Sequence, residues 1–194
     1  MKVSGKKAAE NRAALLDAAQ KLLRERGFAG AGVAEIGREA GLTQGALYGQ
    51  FGSKDGLATE AVRKAFADGT EAWRALEASH PDPFLAYLDS YLSDEHLHDV
   101  GSGCMLAACL SEVRRQDPAV GAVFAEGVSA MAGQVQRSLP PGTVPDDARR
   151  RALAVLAGLV GGMALARSVA LTDPAFAQEI IAATRAELER MALG

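Results

Sequence analysis

The chain has 194 residues, 48% hydrophobic but only 5% aromatic, with 21 basic and 24 acidic side chains and a formal charge of −3. That composition excludes an intrinsically disordered chain, and the two cysteines, Cys104 and Cys109, are too few for a disulfide framework. It predicts an all-α protein of closely packed, alanine-rich helices, long enough for one sizeable body or two small domains.

In chain order, Ala8–Arg26 reads as a first helix, because Leu15, Ala18, Ala19, Leu22 and Leu23 recur at steps of three and four while charged residues take the other face. Gly27 ends it. Val33–Ala40 is a short second helix entered through Ala31-Gly32, where a serine or threonine cap is missing. Gly41 breaks that helix where a positive φ costs little, and Thr43 can cap a third helix, with Leu42 as a core anchor. Two short helices joined by a tight glycine turn form a helix-turn-helix, whose second member enters the major groove of DNA. Ser53 then caps a long fourth helix, Lys54–Ala78, with Asp55 in its first turn where the helix dipole favours an anion.

His80-Pro81-Asp82-Pro83 stops that helix, since each proline removes a donor. A fifth helix is predicted over Pro83–Leu97, a sixth over Cys104–Gln116 after the Gly101-Ser102-Gly103 joint, and a seventh from Pro118 to Leu139. After the loop Pro140–Pro145 come an eighth helix, Asp146–Leu171, and a ninth, Pro174–Leu193. No segment alternates with period two long enough to argue a strand. The polar amino terminus and an uncharged run, Ala152–Ala166, too short to span a bilayer predict a cytoplasmic protein with no membrane partner.

Charge is divided unevenly. Met1–Lys64 holds 11 Lys and Arg against 7 Asp and Glu, and the remainder 10 against 17. A basic head on an acidic body suits contact with the phosphate backbone, although a solvated lysine-rich terminus reads the same way.

The ordered set Leu15-Leu16-Asp17-Ala18-Ala19, Arg26-Gly27-Phe28, Val33-Ala34-Glu35-Ile36-Gly37, Ala40-Gly41-Leu42-Thr43, Gly45-Ala46-Leu47-Tyr48 and Phe51-Gly52-Ser53-Lys54-Asp55-Gly56-Leu57 resembles the DNA-binding domain of the TetR family of bacterial transcriptional regulators. The resemblance implies about nine helices, with a helix-turn-helix head at residues 1–53 and a ligand-binding and dimerisation body at 54–194. It implies a homodimeric regulator, a repressor by family habit, that binds a palindromic double-stranded DNA operator and is released by a small-molecule inducer. It implies no enzyme activity and no cofactor.

By chemistry, Gln44 and Gln50 have the amide fork that pairs with adenine, Thr43 suits a phosphate or a thymine methyl, and Gly45 and Ala46 allow close approach to base edges. Tyr48, by resemblance, donates its hydroxyl to a phosphate, and Lys54 adds charge beside the free amides of the fourth helix. Lys6, Lys7 and Arg12 could follow the DNA backbone. Gly49 departs from the family, which commonly has a bulky aromatic or histidine there.

The resemblance further implies an apolar ligand cavity, for which Phe66, Trp73, Leu85, Leu88, Tyr91, Leu92, Met105, Leu106, Cys109, Phe124, Val128 and Met131 are wall candidates and Tyr91 and Gln134 polar points; any one of them taken singly reads first as plain core packing. Dimerisation is expected through the last two helices, with Leu153, Ala157, Gly158, Gly161, Gly162 and Leu165 in the interface, unless the glycines pack against the protein's own seventh helix. Cys104 has two readings: an electrophile or oxidant sensor activated at a helix start, or a small residue packed at a tight turn. His96 and His98 do not share a helix face, so no metal site is expected. A helical cysteine enzyme and an architectural DNA binder are the competing classes, the first lacking a phosphate loop, a metal spacing or a carboxylate pair.

Overall fold

The computed structural model describes residues 5–139 and 145–193, all of whose regular elements are helical. They are α1 (Gly5–Gly30), α2 (Val33–Glu39), α3 (Gln44–Phe51), α4 (Lys54–Ser79), α5 (Pro83–Tyr91), α6 (Asp94–His98), α7 (Met105–Cys109), α8 (Pro118–Ser138), α9 (Pro145–Val169) and α10 (Pro174–Leu193), with a 3-10 turn at Val113–Arg115. The predicted loop Pro140–Pro145 lies outside the described residues up to the start of α9.

The described helices gather into two compact units, one of residues 1–67 and 100–125, the other of 68–99 and 126–194. The division is not the serial one read from the sequence, in which residue 53 ends the head. The first unit includes α7 and the start of α8 alongside the helix-turn-helix.

In the first unit, the apolar stripe of α1 is buried as its periodicity requires: Leu15, Ala19, Leu22 and Leu23 are in the core with Ile36, Leu47, Leu57, Ala61 and Val62. Gly27 (φ +70°, ψ 177°) breaks α1 into Gly5–Arg26 and a last short turn over Phe28–Gly30.

Two predicted helices are interrupted. The fifth ends at Leu92, whose φ of −96° and ψ of 33° leave the helix, and Ser93 caps α6 by accepting the His96 N–H at 3.1 Å. A serine followed by Asp94 and Glu95 is itself a helix-start signal, set inside the Pro83–Leu97 span. The sixth, Cys104–Gln116, keeps only Met105–Cys109 as α-helix before passing through a turn into Val113–Arg115.

In the second unit, α9 and α10 form the most extensive helix pair. Their approach depends on glycine: a Cβ on Gly162 would stand 2.5 Å from Thr184 Oγ1, and one on Gly158 would stand 2.7 Å from Leu188 Cδ2. The α9 segment Asp146–Val169 is long and apolar enough to cross a membrane by length and composition, although the uncharged run within it, Ala152–Ala166, is too short to do so. Its Ala152, Val155, Leu159 and Met163 are buried, the pattern of a core helix.

Gly162→Leu should destabilise the protein by about 1–3 kcal/mol through overpacking, because β-branched Thr184 is stiff and cannot swing aside. A lowered urea midpoint at an unchanged slope checks this, and Thr184→Ala should restore part of the loss.

Candidate nucleic-acid interface

The turn between α2 and α3 is fixed by backbone bonds. Gly41 adopts φ +66°, its N–H donates to Arg38 O at 3.0 Å, and the Leu42 N–H donates to Gly37 O at 2.8 Å. This pairing closes the carboxyl end of α2 as a Schellman turn and sends the chain sharply into α3. Gly37 is needed as well, because a Cβ there would lie 3.0 Å from Leu42 O. Thr43 Oγ1 then accepts the Ala46 N–H at 3.2 Å and starts α3.

Helix α3 buries a single residue, Leu47, and presents Gln44, Gly45, Tyr48 and Gly49 to solvent, with Ala46 half-buried. Tyr48 is 49% exposed. An isolated apolar anchor with two hydrogen-bonding side chains and two glycines facing outward fits a surface helix that receives another molecule, and suits base and phosphate contacts. A Cβ on Gly49 would meet nothing within 4 Å, so the glycine there serves no internal packing.

Three polar candidates have internal work instead. Gln50 is half-buried and its amide donates to Ala8 O at 3.2 Å, which occupies the fork expected to read adenine. Lys54 Nζ donates to Phe28 O at 2.7 Å. Arg12 stacks its guanidinium 4.4 Å from the centre of the Phe51 ring and donates to Gln50 O and to Glu60 at 3.5 and 3.3 Å. Gln50 and Arg12 brace α3 against α1, while Arg12 and Lys54 tie α1 to α4. Lys6 and Lys7 remain exposed at the start of α1.

Ion pairs between Lys21 and Glu39 (2.6 Å) and between Arg26 and Glu35 join α1 to α2. The hydrogen bond from Lys21 lowers the Glu39 pKa and raises that of Lys21. Glu112, which the sequence did not single out, accepts the Phe28 N–H through Oε2 at 3.0 Å from 84 residues away. The helix break at Gly27 leaves that N–H without its helical acceptor, but no local pattern names the partner.

The apolar candidates for a ligand wall divide between the two units. Phe66, Met105, Cys109 and Phe124 are in the first, where the Phe66 and Phe124 rings meet edge to face at 5.5 Å. Trp73, Leu85, Leu88, Tyr91, Leu92, Val128 and Met131 are in the second, where Trp73, Tyr87, Tyr91 and His96 follow one another at 4.6, 5.5 and 4.6 Å. Leu106 is buried in the first unit and Gln134 in the second.

Cys104 is half-buried at the N-cap of α7 and does not lie inside a helical first turn, and its side chain does not cap α7. Cys109 is buried, donates its thiol to Leu23 O at 3.3 Å, and has its pKa pushed up to about 12, by burial first and then by Glu112. Among the described residues no group of three or more His, Cys, Asp or Glu is placed to hold a metal ion.

Of the residues assigned to dimerisation, Gly158 and Gly162 face Leu188 and Thr184 of their own chain, so close packing inside the protein accounts for them. Leu153 and Leu165 are 42% and 61% exposed, Ala157 is exposed, and a Cβ on Gly161 would meet nothing within 4 Å. These four stand four residues apart along one ridge of α9.

Residues 15–61 match the family described as bacterial regulatory proteins, tetR family. The chain is 29% identical over 108 residues to the HTH-type transcriptional repressor NemR of Escherichia coli, an alignment covering 54% of each protein. The chain thus spans about half the length of the curated relatives it matches. The fold is similar to that of E. coli NemR in its reduced form, with a TM-score of 0.78 at 20% identity over 93% of this chain and 95% of that one. It is also similar to a TetR transcriptional regulator from Legionella pneumophila, with a TM-score of 0.79 at 13% identity over 99% and 100%.

Gly49→Ala should stabilise the protein by about 1 kcal/mol, since alanine fits the open position and glycine costs the helix that much. The melting temperature should rise by about 2–4 °C, as measured by circular dichroism.

Proposed function

We propose that this chain, whose residues 15–61 match the tetR family of bacterial regulatory proteins, is a cytoplasmic transcriptional repressor of that family that binds a palindromic DNA operator as a homodimer. The observation that carries this reading is the outward face of α3, with Gln44 and Tyr48 exposed on a helix whose one buried residue is Leu47. Gln44 is the base-reading residue, Tyr48 and Thr43 take phosphates, and Gly45, Ala46 and Gly49 admit the duplex closely. Gln50 acts by bracing α3 against α1, and Lys54 by tying the start of α4 to the end of α1, in keeping with their internal partners. Similarity to a relative named as a repressor supports the direction of regulation.

Dimerisation is assigned to the α9 ridge of Leu153, Ala157, Gly161 and Leu165, which is apolar, exposed except at half-buried Gly161, and closely approachable there. A two-fold pair of heads demands a two-fold operator. The inducer is a mostly apolar, drug-like or metabolite molecule recognised by side chains of the second unit such as Trp73, Leu88 and Tyr91, and it shifts the population toward a conformation that misfits DNA.

Selection from random duplex DNA should recover a palindrome, and light scattering should give a dimer. Gln44→Ala should weaken binding to the selected palindrome by about 1–3 kcal/mol and relax preference at one base pair in each half. Tyr48→Phe should weaken binding evenly across sequences. Binding without sequence preference, or unaltered binding by both variants, would overturn the assignment.

A second reading is that Cys104 senses electrophiles, and the inequality between the two thiols favours it. Cys109 stays protonated at neutral pH because its pKa lies near 12, whereas Cys104 is partly accessible. At pH 7.5 iodoacetamide should alkylate Cys104 alone, forming an S–C bond as iodide leaves, with Cys109 reacting only after unfolding; peptide mass mapping checks this. If quinones release operator DNA equally from wild type and Cys104→Ser, the sensor reading fails.

A further inference from the structure

Phe28 sits in the last turn of α1, directly after the residue that breaks the helix. Gly27 turns the backbone to φ +70°, and the next turn closes through the Ala31 N–H donating to Gly27 O at 3.1 Å. Gly27 therefore stands where a helical turn ordinarily has a capping side chain, and has none. The missing oxygens arrive from Glu112: Oε2 accepts the Phe28 N–H at 3.0 Å, and Oε1 occupies the place of a side chain at position 27, only 2.1 Å from where that Cβ would be. The other end of the same residue is also held, because Phe28 O accepts from Lys54 Nζ at 2.7 Å. Lys54 is two residues past Gly52, the carboxyl cap of α3.

Further contacts in this unit fix the same region. Arg24 donates to Gly101 O at 2.9 Å, and Cys109 donates to Leu23 O at 3.3 Å. The segment from Gly101 to Glu112 thus grips the carboxyl end of α1, and a single residue connects that grip to the end of α3.

From this geometry, and resting on the reading of α3 as the DNA-contacting helix, we propose that Glu112 is a positioning residue for DNA recognition. Its carboxylate acts as a cap supplied in trans along the chain, holding the Phe28 turn so that Lys54 and the carboxyl end of α3 are fixed in register with α1. Glu112 touches no DNA. Its loss loosens the placement of α3 and so affects sequence-specific contacts, which need fixed geometry, more than attraction between cations and phosphates, which does not.

The test uses full-length protein, the duplex selected from random DNA by wild type, and a scrambled duplex of equal length. Glu112→Ala should weaken binding to the selected duplex roughly tenfold while changing affinity for the scrambled one less than twofold, the signature of lost specific contacts. Glu112→Gln, which keeps an acceptor oxygen in place, should recover most of the difference. The Phe28 amide should exchange with deuterium faster in Glu112→Ala than in wild type or Glu112→Gln, at a temperature where circular dichroism shows each variant folded. Should Glu112→Ala not fold, Glu112→Asp, whose shorter side chain withdraws the acceptor from the Phe28 N–H, decides in combination with Lys54→Met, since removing both ends of the grip should cost less than the sum of the single losses. Equal weakening on both duplexes, or unchanged specificity in every folded variant, overturns the proposal. Failure of wild type to select any duplex overturns the DNA-binding reading and this proposal together, whereas selection by wild type with indifferent Glu112 variants overturns this proposal alone.

Discussion

The left-handed Gly41 is the constraint from which the DNA-facing surface follows. A residue with a side chain at φ +66° would be strained, and without that conformation the bonds from Gly41 to Arg38 O and from Leu42 to Gly37 O could not both form. Those bonds stop α2 and redirect the chain within three residues, so that Thr43 can cap α3 and Leu47 can reach the core. Gly37 contributes by absence, leaving room for the Leu42 carbonyl. What remains outside is fixed in consequence: Gln44, Tyr48 and Gly49 face away from the one buried position.

Local rules made this portion legible. Helix periodicity, a cap and a turn glycine act over a few residues, so the sequence carries them directly, and α1 to α4 lie where their spacing placed them. The short elements between α5 and α8 were less readable. Ser93 divides two helices by a cap hidden in an apolar run, and the Cys104–Gln116 span looks amphipathic throughout although only five of its residues remain α-helical.

The site separates along the same line. Exposure of Tyr48 and Gln44 follows from their positions relative to Leu47. The occupations of Gln50, Lys54 and Arg12 do not, because each partner is 26 to 48 residues distant. A long polar side chain near a recognition helix reads alike whether it faces DNA or ties the helix down. The glycines of α9 show the same ambiguity: Gly158 and Gly162 admit the protein's own α10, whereas Gly161 between them is open.

The first compact unit is discontinuous in sequence, closing only with residues 100–125. During synthesis the helix-turn-helix emerges early, yet the segment that holds Leu23, Gly27 and Phe28 follows the whole first portion of the second unit, residues 68–99, out of the ribosome. For protein engineering the same topology is a warning. A chimera cut after residue 53 would carry the recognition helix to a new body but leave behind the thiol and the carboxylate that secure the end of α1, so a transplantable reading head extends to a sequence far downstream of its last DNA-facing residue.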